Sequence, residues 1–115
     1  MPDLILAVSA RDVGDRTVIT ARGVIDYGSR SVLREATDEA LDGGKVRLVL
    51  DLSGVTLCDS SGLSTLVDVH RRATAAGGWL RLAGLRPIVS TALTLTNLDR
   101  VLPVYDTAEK AVEAA

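Results

Sequence analysis

The chain has 115 residues, a net charge of −2 and 47% hydrophobic residues, which supports one domain with a real core and not two. That charge gives no general pull toward nucleic acid or an anionic membrane, and Tyr27, Trp79 and Tyr105, without any Phe, build no base-stacking platform. The lone Cys58 excludes an internal disulfide, and the apolar run Leu4 to Val8 is too short for a signal peptide or a membrane span, so a cytoplasmic protein with no membrane insertion is expected.

Two strands open the chain, Leu4 to Ala10 and Thr17 to Gly23, joined across Val13-Gly14-Asp15-Arg16, whose glycine supports a hairpin turn. A helix follows, with Val32, Leu33, Ala36, Thr37, Ala40 and Leu41 spaced as a core-facing stripe. Ser29 or Ser31 is placed to cap its start, and Gly43-Gly44 stops it. Val46 to Leu52, VRLVLDL, is nearly all apolar and reads as a central strand covered on both faces. A loop from Ser53 to Asp59 leads into a second helix reaching about Ala76, with Leu63, Leu66, Val67, His70 and Ala73 on one side and Gly77-Gly78 at its end. Trp79 to Ala83 is a short strand of alternating character. Pro87 suits the first turn of a third helix bearing Ile88, Val89, Ala92 and Leu93, with Asn97 as its C-cap. Val101 to Tyr105 reads as the last strand, and Asp106-Thr107-Ala108-Glu109 as a capping-box-like start for a short C-terminal helix.

The order β-β-α-β-α-β-α-β-α predicts an α/β fold spanning 1–115 as a single domain. Its sheet is mixed and mostly parallel, with four to five strands, an N-terminal hairpin and about four flanking helices. Sites in such folds lie at the C-terminal ends of the parallel strands. The segment from Ser53 to Ser60 is at such an end.

The residues exclude most catalytic readings. No Gly-x-Ser-x-Gly surrounds Ser60, Ser61 or Ser64, and the single His70 lies ten residues down the same helix from Ser60, roughly 15 Å away. Phosphate-binding loops of the Gly-x-x-x-x-Gly-Lys-Ser/Thr or Gly-x-Gly-x-x-Gly type are absent, and one His with one Cys supplies no metal site. A phospho-acceptor receiver domain would use Asp51. The opening hairpin, the missing acidic pair after the first strand and the lack of a lysine after the last strand count against it.

Asp59-Ser60-Ser61-Gly62-Leu63 then stands out. Two hydroxyls beside a carboxylate at a helix N-terminus occupy a place whose unpaired amides and dipole suit an anion. Ser60 reads either as an N-cap or as a phosphate acceptor, and Ser61 is the alternative cap. Gly62 either lets another backbone approach or touches a partner. Asp26 is either a loop-capping residue or part of the site. Cys58 reads as a small buried side chain, with a helix-lowered pKa as the lesser alternative. His70 reads as helix surface or core edge, Arg71-Arg72 as a solvated face.

Together, Asp59-Ser60-Ser61-Gly62-Leu63 after an apolar strand, Gly23-Val24-Ile25-Asp26 before the first helix and the later Gly-Gly-Trp-Leu-Arg-Leu strand resemble the anti-sigma factor antagonist branch of STAS domains over essentially the whole chain. The resemblance implies a STAS-like fold and a switch protein that is not an enzyme and needs no cofactor or metal. Its partners would be an anti-sigma factor that is also a serine kinase using ATP and magnesium, and a serine phosphatase, with no nucleic acid bound. Ser60 would be the phosphorylated residue. Asp26, Tyr27, Asp59, Ser61, Gly62, Leu63 and Ser64 would meet the partner, and the chain would be a monomer or weak dimer. Two other functions fit the same resemblance: a STAS subunit binding the ATPase of an ABC-type lipid transport complex, and a non-switched signalling scaffold.

Overall fold

The computed structural model describes residues 5–115. Strand β1 (Leu6–Val13) and strand β2 (Arg16–Ile25) form the expected hairpin, with Val13 opposite Arg16. Gly14 takes φ +62°, the left-handed backbone that the first central position of a two-residue hairpin turn requires. Both strands run further at their C-terminal ends than their sequence pattern predicts, while β1 begins at Leu6 with Ile5 in a bend, and the predicted Leu4 lies outside the described residues.

Helix α1 (Arg30–Asp42) buries Leu33, Thr37 and Ala40. Strand β3 (Arg47–Cys58) then pairs parallel to β2, and its length corrects the expected loop: Ser53 to Cys58 is strand. Pairing persists through Arg22↔Gly54, Val24↔Leu57 and Ile25↔Cys58 across two register shifts. Each shift breaks the period-two alternation, so the segment reads as irregular although its backbone is paired. Gly23 sits at the second shift with φ +116°, and a Cβ there would collide with the Ile5 carbonyl.

Helix α2 (Ser60–Ala75) is followed by strand β4 (Trp79–Ala83), helix α3 (Pro87–Leu95), a 3₁₀ turn (Leu98–Arg100), strand β5 (Val104–Tyr105) and helix α4 (Ala108–Glu113). The sheet order is β1-β2-β3-β4-β5, antiparallel in the first pair and parallel thereafter. Asn97, at φ +59°, lies just past the C-cap Thr96 and turns the chain out of α3. Val101 to Pro103, expected in the last strand, lie instead in the turn that follows the 3₁₀ helix, so the strand shrinks to two residues.

The main core packs Leu33, Leu63, Leu66, Val69, Val89 and Leu93 of α1 to α3 against Ile19, Leu50 and Leu82 of the sheet. A smaller layer on the opposite face seats Ala108 and Ala111 of α4 on Val18, Val49 and Ala83. Strand β4 does not alternate between buried and exposed: Leu80 to Ala83 are all buried, Arg81 included. The Arg81 guanidinium lies 3.7 Å from the Trp79 ring centre and donates to the carbonyls of Ala111 at 2.8 Å, Ala114 at 2.9 Å and Ala115 at 3.1 Å. Arg16 Nε donates to the Val112 carbonyl at 3.0 Å. Two arginines thus receive the C-terminal carbonyls of a helix too short to be stable alone.

Candidate functional site

Strand β3 ends at Cys58, and the chain turns directly into α2. Asp59 is the N-cap: its extended backbone aims one carboxylate oxygen at the Gly62 amide, 2.8 Å away. The cap is therefore neither serine. Ser60 and Ser61 occupy the first two helical positions, Ser60 exposed and Ser61 half-buried. Among the described residues, no group accepts a hydrogen bond from their amides or from the Ser60 hydroxyl. The second Asp59 oxygen accepts from the Tyr27 amide at 3.3 Å and so ties the loop after β2 to the start of α2.

That loop is itself fastened. Asp26 accepts from the Ser29 amide at 2.8 Å, its own amide donates to Ser29 Oγ at 3.0 Å, and that hydroxyl donates to the Val24 carbonyl at 2.6 Å. Ser29 stands at the N-cap position of α1 but makes no side-chain cap bond, because its hydroxyl is spent on the loop. Tyr27 protrudes, 70% exposed, with the Arg30 guanidinium 4.5 Å from its ring centre.

Gly62 and Leu63 face inward. A Cβ on Gly62 would stand 2.6 Å from Cys58 Sγ and 2.7 Å from the Ile25 carbonyl, so glycine is what lets α2 lie on the strand ends. Burial, and next the Asp59 carboxylate, push the Cys58 thiol up to about 12, which removes the low-pKa reading of that residue. His70 is half-buried at the core edge with Nδ1 unpartnered, and Thr65 and Val69 complete the buried face of α2.

A groove of about 550 Å³ runs along α2, with Ser60, Ser64, Val67 and Arg71 on it and Leu63 in its floor. An Arg34–Asp68 ion pair at 2.7 Å forms one side, Thr96 and Leu98 another. The sequence reading places Val67 on the apolar side of the helix and Arg71 on a solvated face, not in a groove, and it does not single out Arg34. The spacing of positions 60, 64, 67 and 71 on one helical face was the signal available for them. Among the described residues no three His, Cys, Asp or Glu gather as a metal site, and no helix is long and apolar enough to cross a membrane.

Comparison with protein families matches the STAS domain over residues 7–111. A Thermotoga maritima protein named as an anti-sigma factor antagonist is 37% identical over 76 residues, 66% of this chain and 67% of that one. A crystal structure of an anti-sigma factor antagonist from the same organism is similar, with TM-score 0.86 and 28% identity, covering 92% of each chain. A Bacillus cell-fate determinant solved in its phosphorylated form shares the fold, with TM-score 0.72 and 20% identity, covering 93% of this chain and 97% of that one.

Proposed function

The chain belongs to the STAS domain family, and we propose that it is an anti-sigma factor antagonist switched by phosphorylation at Ser60. In this reading it binds an anti-sigma factor serine kinase and so frees a sigma factor. The kinase moves the γ-phosphoryl group of ATP to Ser60 Oγ, the serine proton leaves to a base on the kinase, and ADP departs. A serine phosphatase restores the hydroxyl. The chain works as one cytoplasmic domain and performs no chemistry of its own.

The observation that carries this reading is the state of Ser60: exposed, with an unbonded hydroxyl, at the first position of α2, next to a carboxylate already committed to capping. Two further features support it. A phosphate adds about −1.5 to −2 charges at pH 7. Free first-turn amides and the helix dipole favour an anion there by roughly 0.3–1 kcal/mol, so the modified chain keeps its fold. Tyr27 and Ser64 offer exposed contacts on either side, Asp26 and Asp59 hold the loop that presents Tyr27, Ser61 lies between them, and Gly62 and Leu63 are the packing beneath.

Incubation with an anti-sigma serine kinase, ATP and magnesium, followed by intact-mass measurement, tests the reading. One phosphate per chain is expected on the wild type and none on Ser60→Ala. A Ser60→Ala protein still carrying one phosphate would move the acceptor elsewhere. A wild type that takes no phosphate but binds a transporter ATPase would replace the switch with the transport subunit.

A further inference from the structure

With Ser60 read as a kinase target, on which this step rests, we infer that the same partner also grips the sheet face turned away from α2. It does so on an apolar row of Ile5, Val24 and Leu57 flanked by Arg22. The surface it brings is an apolar ridge with a carboxylate beside it.

Strand register places the row. Leu6, Ile25 and Cys58 point into the main core. Val24 and Leu57, one residue earlier on β2 and β3, therefore point to the opposite face, and Ile5 is the residue just before β1. Val24 pairs with Leu57, and its amide donates to the Ile5 carbonyl at 2.9 Å, so the three lie side by side. Ile5 is 56% and Leu57 44% exposed, and the half-buried Val24 packs into neither core. Helix α4 covers this face at Val18, Val49 and Ala83. Val24 lies six residues beyond Val18, about 20 Å along the strand at 3.3 Å per residue. Parallel strands are ordinarily covered on both faces, yet among the described residues no helix covers the ends of β2 and β3 here.

Charge sits next to the row. Arg22 is two residues before Val24 and shares its face. Its aliphatic stem lies over Gly54, where a Cβ would collide with it, and among the described residues no carboxylate pairs with it. A partner's carboxylate matches that unspent charge.

The occupant follows from distance. Leu57 is three residues before Ser60, at most about 11 Å away. A standard interface covers about 800 Å² on each partner, a disc of roughly 16 Å radius. A protein seated on Ser60 and Tyr27 therefore reaches the row around the strand ends.

The test uses the anti-sigma kinase that labels Ser60, with the full chain. Leu57→Lys should raise Kd at least tenfold and slow Ser60 labelling in proportion, with the melting temperature unchanged; Ile5→Lys should act in the same direction. Arg22→Glu should weaken binding by an amount that shrinks with added salt. Thr74→Lys, about 21 Å from Ser60 along α2, should behave as wild type. Wild-type affinity and labelling in both Leu57→Lys and Ile5→Lys overturns the second patch while leaving the Ser60 reading intact. If those variants instead only turn a dimer into a monomer in light scattering, the row belongs to a second copy and the patch is again overturned. A wild type that the kinase neither binds nor labels fails the Ser60 reading and this patch with it.

Discussion

Asp59 and Tyr27 are joined by a hydrogen bond from the Tyr27 amide to the Asp59 carboxylate, 3.3 Å long, made with the oxygen that the helix cap leaves free. One carboxylate thus orders both the helix that carries Ser60 and the loop that carries the most exposed aromatic ring. Asp59→Ala should cost about 0.5–2 kcal/mol of stability in urea unfolding. Hydrogen exchange should quicken at the Tyr27 and Gly62 amides together. Asp59→Asn, which keeps an acceptor for Gly62, should stay within about 0.5 kcal/mol of wild type. Faster exchange at Gly62 alone would show that the loop does not depend on the cap.

Ser60→Asp puts a carboxylate at the positive end of α2, where it is tolerated or mildly favourable. Circular dichroism and melting temperature should stay close to wild type. Affinity for the ADP-loaded anti-sigma kinase should fall at least about tenfold, roughly 1.4 kcal/mol, because a like or unpaired charge at an interface centre is costly. Unchanged affinity with an intact fold would sink the switch.

Gly62→Ala should destabilise the protein despite alanine's better helix propensity. The propensity gain is at most about 1 kcal/mol. The new methyl would meet Cys58 Sγ at 2.6 Å, the Ile25 carbonyl at 2.7 Å and Ile25 Cγ2 at 2.9 Å, and overpacking of this kind costs about 1–3 kcal/mol. Adding Cys58→Ala relieves the sulfur contact and leaves the carbonyl, so the double variant should recover only part of the loss. Full recovery would place the whole clash on the sulfur.

Cys58 predicts a pH dependence with a definite sign. Burial, followed by the neighbouring Asp59 charge, raises its folded pKa from 9.0 to about 12. The unfolded chain therefore loses this proton first, and the thiol's contribution to stability is lost as pH climbs from about 9 toward 12. At pH 8 a thiol reagent should modify the folded protein slowly and the urea-unfolded protein fast. Rapid labelling of the folded chain would mean that the α2 start opens readily.

Where residues signal locally, the sequence was sufficient. Gly14 marks the hairpin, Pro87 starts α3 and Asp59-Ser60-Ser61 opens α2. The losses came where neighbours decide. Bulges opposite Thr20 and Gly23 hide the second half of β3, because pairing survives while alternation does not. Ser29 looks like a cap but serves the Asp26 loop, and Asp59 takes the cap from the serines. The alternating character read for Trp79 to Ala83 fails at Arg81, where the carbonyls of Ala111 and Ala114 and the Trp79 face make burial of a charge possible. The row of Ile5, Val24 and Leu57 depends on three strands being in register, which no single segment reveals.

The sheet order repeats the chain order, β1 through β5. Each strand is laid on the free edge left by the one before, and none is inserted between two already paired. A ribosome could therefore deliver this sheet as it is assembled, one edge at a time, with little waiting for distant partners. The exception is the buried Arg81. Its acceptors lie about thirty residues ahead, at Ala111 to Ala115, so a nascent chain released up to β4 has the Trp79 face for this cation but not the carbonyls that allow its burial. The segment around α4, made about thirty residues after Arg81, is thus the one that closes the far face.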